Sequence, residues 1–271
     1  MTLNIHTIIL AAGKGTRMNT NLPKVMQPLG GQTLISHVIK TAKASSKNIT
    51  VIVGHQKVLL KEHIASIDPN IQTTEQNEQL GTAHAVKTAS HLIEDDEKVL
   101  ILYGDVPLIS PETIETLINS EQDCTLLSMK LNDPTGYGRI MTDDENLATK
   151  IIEQKDASED ERKIQEVFTG TLLIDGSLLR PALDEINNQN AANEFYLTDL
   201  VEILSSKGVK INCIQANPIE VLGANNKNEL HELESILRKM SAEKLLQQGI
   251  TLLDAKRVDV RGNVEAGKDF L

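Results

Sequence analysis

The chain has 271 residues, 40% of them hydrophobic and 24% charged, enough to bury a large core in one α/β domain or in one domain with a small appendage. A net charge of −11 repels polyanions, which argues against a nucleic-acid partner or an anionic membrane surface, and with three Tyr, three Phe and no Trp there is no aromatic platform for single strands. No stretch approaches the roughly 20 apolar residues a membrane span needs, the start lacks a basic n-region, and Cys124 and Cys213 have no metal-ligand spacing; a cytoplasmic protein with two reduced thiols is expected.

The first element is an apolar run at residues 8–12 that reads as a buried strand and opens directly into Gly13-Lys14-Gly15-Thr16-Arg17. Glycines let backbone N–H groups approach a phosphate closely. Lys14, Arg17 and Lys24 (which follows Pro23) place three cations within eleven residues, so a polyphosphate is the natural ligand. The spacing is not that of a Walker A loop, because Gly-Lys does not recur after Gly13, nor of a dinucleotide loop, because position 18 is Met18. A dehydrogenase would also need an acid at the end of the second strand, where His55 follows Gly54.

A helical pattern follows at Leu34, Ile35, Val38, Ile39 and Ala42, then a strand at 49–53 and helices at 57–67 and 81–93. A strand is expected at 99–103. Ser110-Pro111-Glu112-Thr113 reads as a helix start, with a capping serine, proline in the first turn and an acid at the positive end. A strand at 124–130 completes the regular half. Apolar strands separated by helices predict a parallel sheet covered on both faces, with ligands beyond the carboxyl ends of its strands, where the loops at Gly13 and Asp105 fall.

The second half is less regular. A turn is expected at 136–139, strands at 148–153 and 169–175 around a charged segment at 156–163, a helix at 198–204 and a strand at 210–214. Residues 226–248 form a long helix with Leu230, Leu233, Leu237 and Met240 on one stripe, which packs on its own domain or meets another subunit. The last segment, 249–271, alternates apolar and polar residues; it is either the first turn of a β-solenoid or a terminal hairpin.

The string Leu10-Ala11-Ala12-Gly13-Lys14-Gly15-Thr16-Arg17-Met18 with Pro23-Lys24 resembles the signature of sugar-nucleotide pyrophosphorylases, or nucleotidyltransferases. Segments 76–84, 102–108, 136–139, 196–199 and 221–226 follow in the order of one branch: the uridyltransferase domain of the bifunctional bacterial N-acetylglucosamine-1-phosphate uridyltransferase/glucosamine-1-phosphate acetyltransferase. The resemblance implies a Rossmann-like domain with a mixed, mostly parallel sheet over 1–225, a linker helix at 226–248, and at 249–271 the start of a left-handed β-helix acetyltransferase domain. The chain would then be a fragment without the acetyltransferase activity, whose full-length form is a trimer.

The reaction implied joins UTP and N-acetylglucosamine 1-phosphate into UDP-N-acetylglucosamine, a cell-wall precursor, and releases pyrophosphate. Carried over by motif, Leu10, Ala11, Ala12, Gly13, Lys14, Gly15 and Lys24 line UTP, Arg17 holds the leaving pyrophosphate, and Lys24 neutralises charge at the α-phosphate. Gln76, Gly81 and Thr82 resemble the uracil-reading segment; a glutamine amide offers donor and acceptor together, matching uracil O4 and N3–H. Thr82 could equally cap a helix, and His84 has no required part beyond packing or surface. Asp105 and Asn225 match the ligands of Mg2+, and Tyr103, Gly138, Glu153, Phe168 and Thr198 match sugar-contacting positions. Phe168 departs from the family, which usually has Asn there; an aromatic ring can neither donate nor accept the missing hydrogen bond. Another sugar 1-phosphate, or a non-catalytic nucleotide-binding role, are the competing readings.

Overall fold

The structure, a computed structural model, describes residues 4–120, 122–262, 264, 265 and 267. The first strand, β1 (Ile5–Ala11), is wholly buried. Ile8, Leu10 and Ala12 face one hydrophobic cluster while Ile5, Ile9 and Ala11 face another, which is why residues 8–12 are apolar at every position rather than alternating. A short hairpin, β2 (Pro28–Leu29) and β3 (Gln32–Thr33), leads into α1 (Leu34–Ser45), capped by the Thr33 hydroxyl accepting from Ser36 N. Then come β4 (Asn48–Val53), α2 (Lys57–Ile67), β5 (Gln72–Glu75), α3 (Thr82–Thr88) and β6 (Lys98–Tyr103). The helix expected over 81–93 breaks after Thr88 and ends in a 3-10 turn, Ser90–Leu92.

The capping serine expected at 110 is confirmed at the start of α4 (Pro111–Ile118). Ser110 Oγ accepts from Thr113 N at 3.1 Å, and the Glu220 carboxylate in turn accepts from Ser110 N, Ser110 Oγ and Thr113 Oγ1. After β7 (Cys124–Lys130) the chain makes β8 (Arg139–Thr142), β9 (Ala148–Ile152), β10 (Glu166–Asp175), α5 (Gly176–Glu185), α6 (Asp199–Ser206), β11 (Ile211–Gln215) and α7 (Lys227–Gln247).

The main sheet runs β11-β7-β10-β6-β1-β4-β5, with β8 and β9 branching from β10. The β6-β1-β4-β5 half is parallel, as expected, but β10 is antiparallel to both β6 and β7. Leu10 pairs with both Ile52 and Tyr103, so the loops after β1, β4 and β6 leave the sheet side by side. On α7, Leu230 and Leu233 join a small cluster with Met18, Leu29, Leu34, Leu108 and Ala224, and Leu237 packs against Gly30. Met240 is exposed, so three of the four stripe residues pack on their own domain. The described residues of the tail contain a single 3-10 turn, Ala255–Arg257, and no strand; the expectation for residues 263, 266 and 268–271 lies outside the described residues.

At the opposite end of β1 from the phosphate loop lies a buried polar group absent from the sequence reading. His6 Nδ1 meets the Glu97 carboxylate at 3.0 Å, His6 Nε2 meets Thr50 Oγ1 at 2.8 Å, and Glu97 also accepts from Glu94 N. Both His6 and Glu97 are 3% exposed. Removing one partner of such a pair strands the other, at a cost of about 3 kcal/mol. Glu97→Ala is therefore expected to lower the unfolding free energy by that amount in a urea titration.

Candidate active site

The loop after β1 is shaped by one glycine. Gly15 has φ of +59°, and a Cβ there would stand 2.6 Å from Lys24 Cβ, so the phosphate loop and the Lys24 turn pack against each other only because position 15 has no side chain. Met18, fully buried, pins the far side of the loop. Gly13 and Lys14 are left exposed, with nothing within 4 Å of a Cβ at Gly13. Leu10, Ala11 and Ala12 turn their side chains into the core, and the carbonyls of Leu10 and Ala12 accept from Gly104 N and His55 N. These three positions thus act as scaffold for the loop rather than offering side chains to a ligand.

Four residues from three loops meet beside it. The Lys24 ammonium donates to Asp105 Oδ2 and, at 3.2 Å, to Asn225 Oδ1; Arg17 Nη2 donates to the same Asn225 oxygen at 3.0 Å. Asp105 is 8% exposed, and its carbonyl accepts from Ala224 N, which ties the loop after β6 to the segment before α7. Asn225 N donates to Glu229 Oε2 at 2.6 Å, while Asn226 caps α7 with bonds to the N–H groups of Asn228 and Glu229. The two residues expected to hold a metal therefore aim hard oxygen donors at one cation, here the Lys24 ammonium. Among the described residues no group of three or more His, Cys, Asp or Glu could hold a metal. A carboxylate and an amide oxygen suit a magnesium ion that takes its other ligands from phosphates and water.

Tyr103, Gly138, Glu153, Phe168 and Thr198, the five residues expected at the sugar, line one cleft of about 800 Å³ together with Arg17, Asp105 and Asn225. Thr198 Oγ1 donates to Glu153 Oε1 at 3.0 Å. Burial pushes the Glu153 carboxyl above its ordinary range, partly offset by that bond. Burial, and then the charges of Glu153 and Asp105, push the Tyr103 hydroxyl up. Phe168 is 6% exposed and packs into the core cluster that holds Leu172 and Ile140, while its N–H is taken by the Gly138 carbonyl at 2.9 Å. Arg139, expected only as part of a turn, is buried and donates to the carbonyls of Tyr137 and Arg162, holding the wall on which Gly138 sits.

The segment expected to read the base, at Gln76, Gly81 and Thr82, departs from expectation in two places. Thr82 is not a cap: Gly81 precedes α3 without a side-chain bond, and the Thr82 hydroxyl instead accepts from Leu197 N at 2.9 Å. Gly81 (φ +120°) lies so close to Phe195 that a Cβ would come within 2.4 Å of its carbonyl; Phe195 N donates to Leu80 O, and Ala83 N donates back to Phe195 O. The Gln76 amide does not offer donor and acceptor together, because its nitrogen donates to Gly81 O at 2.9 Å and approaches His84 Nδ1 at 3.1 Å. Gln76 lines a second cleft of about 720 Å³ with Gly54, Asn77 and Gln79.

A profile of the MobA-like NTP transferase domain matches residues 7–196. The chain is 44% identical, over an alignment of 272 residues, to the "Bifunctional protein GlmU" of Hydrogenovibrio crunogenus (strain DSM 25203 / XCL-2), covering 98% of this chain and 60% of that one. It thus spans three-fifths of the length of that relative. Among solved structures it is similar to a UDP-glucose pyrophosphorylase complexed with UDP-glucose, with a TM-score of 0.71, 17% identity, and coverage of 88% of this chain and 99% of that one. That likeness is one of fold: a mixed, mostly parallel sheet wrapped by helices.

Next to Thr198, Asp199 opens α6. Burial first, then the charges of Glu202 and Glu153, raise its carboxyl from 3.8 to about 6. Between those values the unfolded chain releases a proton that the folded chain keeps, so stability present below the unfolded value is lost as the pH rises through the folded one. Asp199→Asn, which carries no such group, is expected to gain in melting temperature relative to the parent between pH 4 and pH 7. Calorimetry at the two pH values checks it; an equal difference at both would contradict the assignment.

Proposed function

The chain belongs to the family of the MobA-like NTP transferase domain, and we propose that within it the protein transfers UMP from UTP to N-acetylglucosamine 1-phosphate, giving UDP-N-acetylglucosamine and pyrophosphate. The observation that carries this reading is the convergence of Arg17, Lys24, Asp105 and Asn225 between the glycine loop and the 800 Å³ cleft. Binding a nucleotide alone would not require two cations and two oxygen donors in one network opening onto a separate polar cleft.

The sugar phosphate attacks the α-phosphorus of UTP, and pyrophosphate leaves. The nucleophile is already an anion, so no general base is needed. The protein must align two anions that repel and neutralise the charge that builds between them. Gly13, Lys14 and Gly15 take the phosphates of UTP, Arg17 holds the leaving pyrophosphate, and Lys24 faces the α-phosphate. A magnesium ion on Asp105 and Asn225 would supply further charge neutralisation at the phosphates. Glu153 accepts from sugar hydroxyls, and Thr198 holds its carboxylate in place. The relative's printed name, "Bifunctional protein GlmU", supports this branch.

The same reading assigns residues 1–225 to the transferase domain, 226–248 to a linker helix and 249–271 to the start of an acetyltransferase β-helix, in a full-length protein that forms trimers. It places the protein in the cytoplasm, in keeping with Cys124 and Cys213 as unpaired thiols whose pKa values burial pushes up to about 12. Among the described residues, no helix is long and apolar enough to cross a membrane.

The test is pyrophosphate release from UTP and Mg2+ with N-acetylglucosamine, glucosamine, N-acetylgalactosamine and glucose 1-phosphates. Turnover confined to the first supports the proposal; no turnover with any of them overturns it. Asp105→Ala is expected to lower kcat by at least about 100-fold while leaving the fold intact. Phe168 favours a second reading, in which another hexose 1-phosphate is preferred, because its ring presents no hydrogen-bonding group to the cleft. Restoring the polar contact with Phe168→Asn is expected to lower KM for N-acetylglucosamine 1-phosphate by roughly a few-fold to tenfold, with KM for UTP unchanged.

A further inference from the structure

Gln76 follows β5 with its backbone fixed, N–H to Val53 O at 2.8 Å, and only 4% of the residue is exposed. Its carboxamide cannot rotate freely. The Gly81 carbonyl is an acceptor only, so the amide nitrogen must face it. The second hydrogen of that nitrogen points to His84 Nδ1, which must then be the accepting nitrogen of a neutral ring with its proton on Nε2. His84 is half-buried on α3, one turn past Gly81, and lies against the Phe195 ring, with centroids 6.5 Å apart. Both amide hydrogens are thereby used. Among the described residues no donor meets Oε1, and it is the one polar atom Gln76 has left for the 720 Å³ cleft it lines.

We infer that His84 is a specificity-determining positioning residue: with Gly81 it locks the Gln76 amide so that this side chain offers the base site an acceptor and no donor. This rests on the uridine reading above. An acceptor alone recognises an imide N–H such as N3–H of uracil. It rejects cytosine, whose N3 is itself an acceptor, because two lone pairs then face each other without water between them. Without His84 the amide keeps one of its two anchors, and the penalty for turning its nitrogen toward cytosine falls.

The experiment compares kcat/KM for UTP and CTP in the parent protein and in His84→Ala, His84→Leu and His84→Asn, at saturating sugar 1-phosphate. Asn places an Oδ1 acceptor at the same remove from Cβ as histidine Nδ1, whereas Leu fills the space without one and serves should the alanine variant fail to fold. The parent is expected to favour UTP by at least about 100-fold. The ratio is expected to narrow by roughly tenfold in His84→Ala and His84→Leu, mainly through KM for the nucleotides, and to be largely kept in His84→Asn. An unchanged ratio in the alanine and leucine variants overturns the inference, as does an equal loss in His84→Asn, which would mean that the ring only packs. If the parent releases no pyrophosphate from UTP with any sugar phosphate, the uridyltransfer reading fails instead, and that result is visible before any His84 variant is made.

Discussion

One ammonium group holds the site together. Lys24 is shared by the Asp105 carboxylate and the Asn225 carbonyl, residues 81 and 201 positions away in sequence. Around it three loops come into register: the glycine loop through the Gly15–Lys24 contact, the turn after β6 through Asp105, and the segment before α7 through Asn225. With side chains 17% and 12% exposed, neither Lys24 nor Asp105 is left fully solvated. The pair's Coulomb gain is spent largely against desolvation, so its worth lies in geometry rather than in net stability. Dipoles and charges set before a substrate arrives need not reorganise during the reaction.

The sheet makes that meeting possible. Because β1 is parallel to both β4 and β6 and pairs with them residue for residue, its carboxyl end delivers the glycine loop next to Gly54 and Asp105 without any long connection. The reversed strand β10 does the complementary task. Running antiparallel to β6, it carries Phe168, Thr169 and Gly170 back along the edge of Tyr103, and the irregularity between Phe168 and Leu172 lets these residues line the cleft proposed for the sugar instead of continuing the ladder.

Much of this was legible in the sequence. The apolar runs of β1, β4, β6 and β7 stand out because both faces of the sheet are covered, and the Ser110 cap has a local signature. Other elements had no such signal. Strand β5 is the sheet's edge and reads Gln72-Thr73-Thr74-Glu75, without an apolar residue; α5 carries Pro181 within it; and β8 hides behind the glycines at 136 and 138. The site residues followed the same division. Motifs found Lys24, Asp105 and Asn225 one at a time, but only the fold shows that they touch. For Gln76 the sequence carries no sign that the amide nitrogen donates to Gly81 O and meets His84 Nδ1, eight residues along and round a turn. The bond from Leu197 to Thr82 spans 115 positions and could not be read from either segment alone.

That last bond belongs to a seam. Residues 80–83, in the segment proposed to face the nucleotide, and residues 195–197, which lead to Thr198 in the cleft proposed for the sugar, are stitched by the bonds Phe195–Leu80, Ala83–Phe195 and Leu197–Thr82, with Gly81 pressed against the Phe195 backbone. Under the proposed reaction, a coupling between the two substrates would have this route, and whatever factor one ligand adds to the affinity of its partner, the partner must return in full. The seam thus joins residues 80–83 to the segment that leads into the cleft at Thr198 through three main-chain N–H groups, those of Ala83, Phe195 and Leu197.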